Sequence, residues 1–317
     1  MTTTQASSTG LLWARRVRKS RLRSRRRGQR SMGRALLPWL YLALPIGFVV
    51  LFTGIPLTNM VWYSFTDWDG LSPVKEYVGF ENYVEIFSDP DLFGVFFVSL
   101  YYLVGAIVQI GLALYLATVL SFTLPLRNLF KGIVFFPYLI NGVAIAFIFL
   151  FFFQPGGTLD LTLQFFGLGA LSQQWLGDPA VVNWSLAGVS VWRYIGLNVV
   201  LYIGAIQSIS PDLFEAADID GASRWQQFRY IIAPSVKRIT ALTTILAISG
   251  ALAVFEIPYI MLGGANGTAT FVIETVRKAF VYNEIGLASA MAVVLLALVL
   301  VITIIQRLTI KDEVDLA

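Results

Sequence analysis

The chain contains no cysteine and no histidine, and only 13% of its 317 residues are charged. Without cysteine it can form no disulfide and offers no thiol nucleophile, and without both residue types it lacks the usual zinc ligands. The absence of histidine also removes the side chain that most often serves as general acid or base near neutral pH. Soluble domains carry about 25% charged residues, so the shortage of charge points away from a soluble protein.

Hydrophobic residues, in contrast, make up 57% of the chain, and the mean hydropathy is +0.72. They fall into long apolar blocks, and six of these reach the roughly 20 residues that a helix needs to cross a hydrocarbon core. The six blocks are Leu36–Tyr63, Phe93–Ser121, Leu129–Phe153, Ser185–Gln207, Ile239–Leu262 and Ile285–Gln306. Pro45 and Pro56 are expected to kink or tilt the first block. The sequence therefore predicts an all-α membrane protein with six transmembrane helices, in which residues 35–311 form the transmembrane domain and residues 312–317 a short tail.

Most of the positive charge lies in one place. Eleven arginine and lysine residues, and no acidic residue, precede the first apolar block. We expect residues 1–34 to form a disordered cytoplasmic tail that contacts anionic lipid, rather than a segment that binds nucleic acid. With both termini in the cytoplasm, 19 of the 23 basic residues lie inside; the exceptions are Lys75, Arg277, Lys278 and, near an outer helix end, Arg193. This distribution is the positive-inside pattern of a membrane protein whose two termini lie in the cytoplasm.

The loop between the fourth and fifth blocks, residues 208–238, differs from an ordinary polar linker. Ser210 can cap a helix that begins at Pro211, because proline lacks only a donor that is unpaired at that position. Acidic residues follow in the first turns, where negative charge suits the helix dipole, and Gly221 is placed to end the helix. This part of the loop therefore predicts a short cytoplasmic helix with a small, alanine-rich face.

A second short helix is expected directly after the first. Ser223 can cap it, Trp225 and Phe228 recur at helical spacing, and Pro234 is expected to close it before the next span. Two short helices joined by a sharp turn make residues 208–238 a compact knob. From the residues alone two uses of the knob stay open, namely docking to a partner protein and lying on the membrane surface as an interfacial helix.

The knob closely resembles the EAA motif of the permease subunits of binding-protein-dependent ABC importers. The matching residues are Glu215, Ala216, Ala217, Asp220, Gly221, Ala222, Phe228, Ile231 and Pro234. One position departs, because Ala233 precedes the proline where the family often has leucine. The resemblance implies that the knob couples the chain to a separate ATPase subunit, with Glu215 at the contact and Gly221 setting the turn. The alternative for Glu215 is a local interaction with the helix dipole, worth about 0.3–1 kcal/mol.

Other segments resemble the sugar-importer branch of this family, the MalF-like or UgpA-like permeases. The similar segments are Ser64–Gly70 and Val78–Pro90 in the first outer loop, Trp192, Gly196, Tyr202 and Gln207 in the fourth block, and Gly263–Thr270 and Gly286–Leu296 towards the end of the chain. Ala265 stands where the family carries a proline. The resemblance implies a type I ABC importer permease fold and a cargo that is a carbohydrate or a glycerol-phosphate-like solute.

The resemblance also implies the components with which the chain works. These are a second permease subunit of the same family, a pair of ATPase subunits that hold ATP and magnesium, and an extracytoplasmic substrate-binding protein. The chain itself would form half of the translocation path, carry no cofactor and perform no covalent chemistry.

Candidates for the substrate pathway come from the few polar groups inside the blocks. A carboxylate there costs about 2.5–3.5 kcal/mol on insertion scales and usually marks a functional site; Glu256 is the one acidic residue clearly inside a block. Because sugars bind to aromatic rings and hydrogen-bonding groups, the candidates are Tyr138, Asn141, Asn198, Phe255 and Glu256. Asparagine can equally bond a neighbouring helix, and phenylalanine can serve packing alone. No metal site is expected.

Three rival functions remain for comparison. A secondary carrier would show an internal repeat, and no block repeats at a fixed period. A membrane-embedded enzyme would need a constellation of acid–base or metal-binding groups, and only Glu256 lies at depth. A closer rival keeps the ABC permease but changes the cargo to a polyamine, phosphate or an ion.

Overall fold

A computed structural model describes residues 38–39, 41–122 and 126–314 and gives a mostly helical chain. The predicted basic tail, residues 1–34, lies outside the described residues, as do residues 315–317. The chain divides into two units, Met1–Asn59 and Met60–Ala317.

The first apolar block forms helix α1, Tyr41–Tyr63. A π-helical turn, Val50–Gly54, lies directly before Pro56, and the N–H of Ile55 donates to the carbonyl of Val50. Proline has no N–H for the usual bond to the residue four positions back, and its ring crowds that carbonyl. A wider turn relieves both problems, so the expected effect of Pro56 on this span takes the form of a π-turn.

The remaining elements alternate long helices with short connecting ones. In chain order they are β1 (Thr66–Asp67), β2 (Glu76–Tyr77), α2 (Glu81–Ser88), α3 (Pro90–Ser121), α4 (Arg127–Leu139), α5 (Gly142–Phe152), α6 (Thr158–Phe165), a 3₁₀ turn (Gly169–Leu171), α7 (Val182–Gln207), α8 (Pro211–Ile219), α9 (Arg224–Gln227), a π-turn (Phe228–Ile232), a single helical turn (Ala233–Ser235), α10 (Lys237–Leu252), α11 (Glu256–Leu262), α12 (Phe271–Phe280) and α13 (Ile285–Val314).

The predicted all-helical fold with six spans is confirmed. Helices α1, α3, α7, α10 with α11, and α13 are long and apolar enough to cross a membrane, and α4 with α5 makes a sixth span that is bent by 98°. The structure adds a two-residue antiparallel pairing in the first outer loop, Thr66↔Tyr77 and Asp67↔Glu76. The last helix reaches three residues past the predicted end of the transmembrane domain at 311.

The third span is broken where the sequence predicts one continuous helix. Ile140 and Asn141 separate α4 from α5, and the chain turns by 98° there. Ile140 is extended, and the Asn141 side chain accepts a hydrogen bond from the N–H of Val143. Asparagine is a strong N-cap residue, so it starts a new helix inside an apolar block. The fifth block is also interrupted, at residues 253–255 between α10 and α11.

Helix α7 lies at the centre of the second unit and packs along α3, α4 and α10. Tyr202 is fully buried, and its hydroxyl lies 3.0 Å from the Thr243 hydroxyl, which joins α7 to α10. Gly196 permits α7 to approach α4, because a β-carbon at this position would overlap the carbonyl oxygen of Val134. Small residues at helix contacts allow close packing in membranes. These contacts hold α3, α4 and α10 against α7.

The loop Gly263–Thr270 is tied to other outer segments by two side-chain amides. Asn266 donates to the carbonyl of Leu176 at 3.0 Å, and Asn183 donates to the carbonyl of Gly267 at 3.0 Å. The second bond links the loop to the outer end of α7. The middle of the loop is therefore anchored even though an alanine replaces the family's proline.

Candidate functional site

The first helix of the knob, α8, covers Pro211–Ile219. Ser210 precedes it, but its side chain makes no capping hydrogen bond, so the predicted cap is wrong. The expected stop is present, because Gly221 has φ +76° and the N–H of Ala222 donates to the carbonyl of Ala217 at 2.8 Å. Positive φ favours glycine over residues that carry a β-carbon. A side chain at this position would strain the turn.

Ser223 caps the second helix, α9, as predicted. Its hydroxyl accepts from the N–H of Gln226 at 3.3 Å, and the Gln226 side chain accepts from the N–H of Ser223 at 2.7 Å. This reciprocal pair is a capping box. Gln227 is buried beside it, where its Nε2 donates to Asp218 at 2.5 Å and its Oε1 accepts from Arg224 at 2.8 Å. Gln227 therefore locks α8 to α9, a role that its residue type, usually found at the surface, does not indicate.

The helical run that begins with α9 stops at Ser235, one residue after Pro234 and before the next span begins at Lys237, close to the expected end. Helix α9 passes into the π-turn Phe228–Ile232 and then into the helical turn Ala233–Ser235, which contains the proline. The N–H of Ala233 donates to the carbonyl of Phe228, five residues back. Because this turn shifts the bonding pattern by one residue, the chain continues past the proline. Phe228 also packs against core residues of α3 and α7, which joins the knob to the helix bundle.

The motif residues divide between the surface of the knob and its base. Glu215, Ala216, Asp220, Gly221 and Pro234 are exposed, whereas Ala217, Ala222, Phe228 and Ile231 are half-buried. Apolar residues share the exposed surface, and Ile219 is the extreme case at 86% exposed. Because Gln227 holds α8 in place, the exposed Ile219 and the exposed carboxylates give the knob a fixed surface with both apolar and charged groups.

A cavity of about 440 Å³ lies among α3, α4, α7 and α10, at the break before α11. Tyr138, Asn198, Phe255 and Glu256 line it, so the structure brings together four of the five predicted pathway residues. Asn141 is not among the lining residues, because its side chain caps α5. Further polar lining residues, which the sequence pattern does not single out, are Tyr102, Gln109, Ser190, Arg193, Tyr194 and Thr243.

Glu256 forms an ion pair with Arg193, whose Nη1 lies 2.7 Å from the Glu256 Oε2. The sequence places Arg193 near an outer helix end, and this placement is wrong. Helix α7 begins at Val182, so a rise of about 1.5 Å per residue puts Arg193 roughly 17 Å from that end, near mid-membrane. An intramembrane charge calls for a partner. Applied to the sequence, this rule would have required a partner for Arg193, which lies inside the fourth block, and would have pointed to Glu256 as that partner.

The ion pair sits where the two broken spans meet α7. A β-carbon at Gly142, the first residue of α5, would overlap both the Glu256 carboxylate and the Arg193 guanidinium. Glu256 is the first residue of α11. The breaks of the third and fifth spans thus meet at one charged pair.

Two buried donors at the cavity have no hydrogen-bond partner among the described residues. They are the Tyr102 hydroxyl and the Arg193 Nε. The rings of Tyr138 and Tyr194 lie 6.3 Å apart, and the Arg193 guanidinium lies 5.0 Å from the Tyr194 ring. Buried polar groups normally find partners. Both atoms are buried from the cavity space, so the groups that the wall presents are the Glu256 carboxylate and the aromatic faces, an arrangement suited to a solute that carries hydroxyl groups.

Apolar spans around a mostly apolar cavity that carries a few polar groups define a multi-pass membrane protein with an internal binding space. Residues 109–312 match the model of one family, the binding-protein-dependent transport system inner membrane component, and the chain belongs to that family. Its members are transport components rather than enzymes. The predicted membership in the ABC importer permeases is confirmed.

Relatives over most of the chain are permeases. A probable ABC transporter permease protein of Bacillus subtilis, YurN, is 36% identical over 86% of this chain and 94% of its own length. The probable starch degradation products permease AmyD of Thermoanaerobacterium thermosulfurigenes is 31% identical, over 88% of this chain and 95% of its own. The diacetylchitobiose uptake permease NgcF of Streptomyces coelicolor is 30% identical, over 90% and 86%. The predicted resemblance to the sugar-importer branch is confirmed.

Solved structures show the same fold. A bacterial ABC transporter that imports the acidic polysaccharide alginate superposes with a TM-score of 0.79 at 21% identity, covering 90% of this chain and 99% of the other. A second structure holds the alginate transporter in complex with a periplasmic protein bound to an alginate pentasaccharide, with a TM-score of 0.77 at 21% identity over 87% of this chain and 94% of the other. The type I permease fold predicted from the sequence is confirmed.

Proposed function

We propose that this chain forms half of the translocation path of an ATP-driven importer for carbohydrate in a bacterial cytoplasmic membrane. The observation that carries the cargo class is the cavity, where Asn198 and the Glu256 carboxylate, which is 39% exposed, line the wall beside the rings of Tyr138 and Tyr194. Carboxylate, amide and hydroxyl groups bond sugar hydroxyls, and aromatic faces pack on the apolar faces of sugar rings. Relatives that are described as permeases for starch products and diacetylchitobiose support the same class.

The knob is proposed as the contact with a separate ATPase subunit that holds ATP and magnesium. The four carboxylates of residues 211–220 are all exposed, and the segment has no basic residue; they are Asp212, Glu215, Asp218 and Asp220. The cytoplasmic leaflet carries a negative surface potential that repels such a segment. The basic residues of the knob, Arg224, Arg229, Lys237 and Arg238, all follow this acidic segment. The charge of α8 therefore favours a protein partner for that helix over lying on lipid, and the exposed Ile219 gives the partner an apolar contact.

The remaining partners follow from the family and are proposed with it. A second permease of the same kind would complete the path, and an extracytoplasmic protein would deliver the solute, as a periplasmic protein accompanies the alginate transporter of similar fold. ATP-driven closure of the ATPase pair would move the two knobs and switch the path between inward-open and outward-open states.

The test is capture of the intact complex through a tag on this chain, followed by a ligand screen of the captured extracytoplasmic protein. The proposal expects an ATPase, a second permease and a binding protein that takes up a carbohydrate. If the binding protein is specific for a polyamine or for inorganic phosphate, the cargo is not a carbohydrate, and the rival function of an ABC permease for that solute is favoured. Capture without an ATPase, combined with uptake that survives ATP depletion, would favour a secondary carrier.

A further inference from the structure

The cavity wall carries two charged side chains, Arg193 and Glu256, among the described residues that line it. Their charges are opposite, and the two groups touch at 2.7 Å. A pair at this separation acts as a short dipole, whose field falls off faster than that of a single charge. Seen from the middle of the cavity, the wall is therefore close to neutral.

The two partners differ in how far they face the open space. The Arg193 side chain is 13% exposed and the Glu256 side chain 39% exposed. An anion that reaches the wall meets the carboxylate before it meets the guanidinium. A cation meets a carboxylate that is already satisfied, and it gains little unless it displaces Arg193, which would leave a buried charge unpaired at high cost.

An uncharged hydroxyl group is not repelled by the Glu256 carboxylate and does not have to displace Arg193. The Glu256 carboxylate can accept a hydroxyl hydrogen bond while it keeps its contact with Arg193, because a carboxylate offers about four acceptor positions. Ser190 and Asn198 add neutral hydrogen-bonding groups on the same wall. Hydrogen bonds to a charged acceptor are stronger than those between neutral groups.

We infer that the Arg193–Glu256 pair is a charge filter that sets the cargo of this path as uncharged, polyhydroxylated solutes. Phosphorylated and carboxylated sugars are disfavoured at the carboxylate, and polyamines are disfavoured by the arginine behind it. The inference rests on the proposed function and sharpens it, because a carbohydrate importer as such accepts either neutral or acidic sugars.

The absence of cysteine from the natural sequence allows a direct measurement of this electrostatic property. Ser190→Cys places a single thiol of this chain on the cavity wall. The intact complex in membranes is treated with neutral, sulfonate-bearing and trimethylammonium-bearing methanethiosulfonates, and the mass of this chain reports the rate of modification. Each rate is first divided by the rate at which the same reagent modifies 2-mercaptoethanol, which removes differences in intrinsic reactivity. The value for each charged reagent is then divided by the value for the neutral reagent, which removes the effect of the thiol's own ionisation.

In the Ser190→Cys chain we expect both charged-to-neutral ratios to lie below one by a similar factor and to change little with salt. Glu256→Gln should raise the anion ratio by about tenfold, and Arg193→Gln should raise the cation ratio by a similar factor, because each leaves one uncompensated charge. The double substitution should return both ratios towards those of the Ser190→Cys chain, and Arg193→Lys, which keeps the charge, should leave them unchanged.

A charged-to-neutral ratio at or above one for either reagent in the Ser190→Cys chain itself would overturn the inference, and this arm requires no change to the pair. Equal ratios in all variants would overturn it as well. Because labelling needs neither cargo nor ATP, failure of the filter is distinguishable from failure of the proposed import function, which the captured binding protein reports separately.

Discussion

Gly142 lies so close to Glu256 that a β-carbon at position 142 would overlap its carboxylate. The contact joins the start of α5 to the start of α11, 114 residues later in the chain, and brings the breaks of two spans together. The space beside Gly142 is therefore filled by the ion pair, and a β-carbon at this position would have to displace the ends of both side chains.

Gly142→Ala should destabilise the protein by forcing the ion pair apart. Overpacking of a filled site typically costs about 1–3 kcal/mol, and separating a buried pair adds to this. The midpoint of thermal unfolding in detergent should fall. Gly132→Ala is the matched control, because Gly132 lies in helix α4 with open space where its β-carbon would be; alanine there should leave the midpoint equal or raise it. Equal midpoints for the two variants would contradict the packing described for Gly142.

Gln227→Ala should loosen the knob. It removes the side chain that bonds both Asp218 and Arg224, and losing a buried hydrogen-bonding group costs about 1–3 kcal/mol. We expect faster amide exchange across residues 211–227 and slower uptake, with the spans unchanged. The control is Gln173→Ala in the outer loop, which should alter neither. Unchanged exchange in the knob of Gln227→Ala would show that another contact joins the two helices.

Low pH should loosen the packing of the outer segment between the third and fourth spans, residues 153–181. Asp160 is buried there; its Oδ1 accepts from the Trp175 indole at 2.9 Å and its Oδ2 from the N–H of Gly156 at 2.9 Å. The indole bond first, and then the backbone bond, hold the pKa of Asp160 below its usual 3.8. A lowered pKa means that the stabilisation is complete above the unfolded value and is lost as pH falls through the folded value.

Trp175 fluorescence measures this loosening. Below about pH 4 its emission should shift towards that of a solvated indole. Asp160→Asn should remove most of the pH dependence, whereas Asp178→Asn, in the same outer segment, should keep it. A transition that persists in Asp160→Asn would assign the titration to another group.

Glu215→Lys should abolish transport and its coupling to ATP hydrolysis while the chain still inserts in the membrane. It reverses the charge of an exposed motif residue in α8. Its control is Glu81→Lys, which reverses an exposed charge in the first turn of the outer helix α2 and loses a comparable helix-dipole interaction of about 0.3–1 kcal/mol. If both variants transport at the same reduced rate, Glu215 acts through the helix dipole alone.

The length of the apolar blocks was enough to predict the six spans, the distribution of charge was enough to predict their orientation, and motif spacing was enough to place the knob. What the sequence could not show depends on which side chains meet in space. Asn141 reads as a pathway residue, yet it caps a helix because the third span breaks beside it. Arg193 reads as a residue of the outer interface, since a linear count of charge does not locate its partner 63 residues away.

The details of the knob also depend on which side chains meet in space, which the sequence does not show. Ser210 and Ser223 both precede short helices, but only Ser223 has a glutamine three residues on that can return the bond. Pro234 is tolerated because the π-turn at Phe228–Ile232 changes the bonding pattern ahead of it. That turn reflects packing of Phe228 against the core, which is a tertiary contact.

The central claim, that the knob contacts a separate ATPase, is tested most directly by crosslinking from its turn. Asp220→Cys introduces a single, exposed thiol into this cysteine-free chain, and a thiol-anchored photocrosslinker attached there is activated in native membranes with and without ATP. We expect a protein adduct whose mass identifies an ATP-hydrolysing subunit and whose yield changes with ATP. Adducts to lipid alone, in both nucleotide states, would contradict the account.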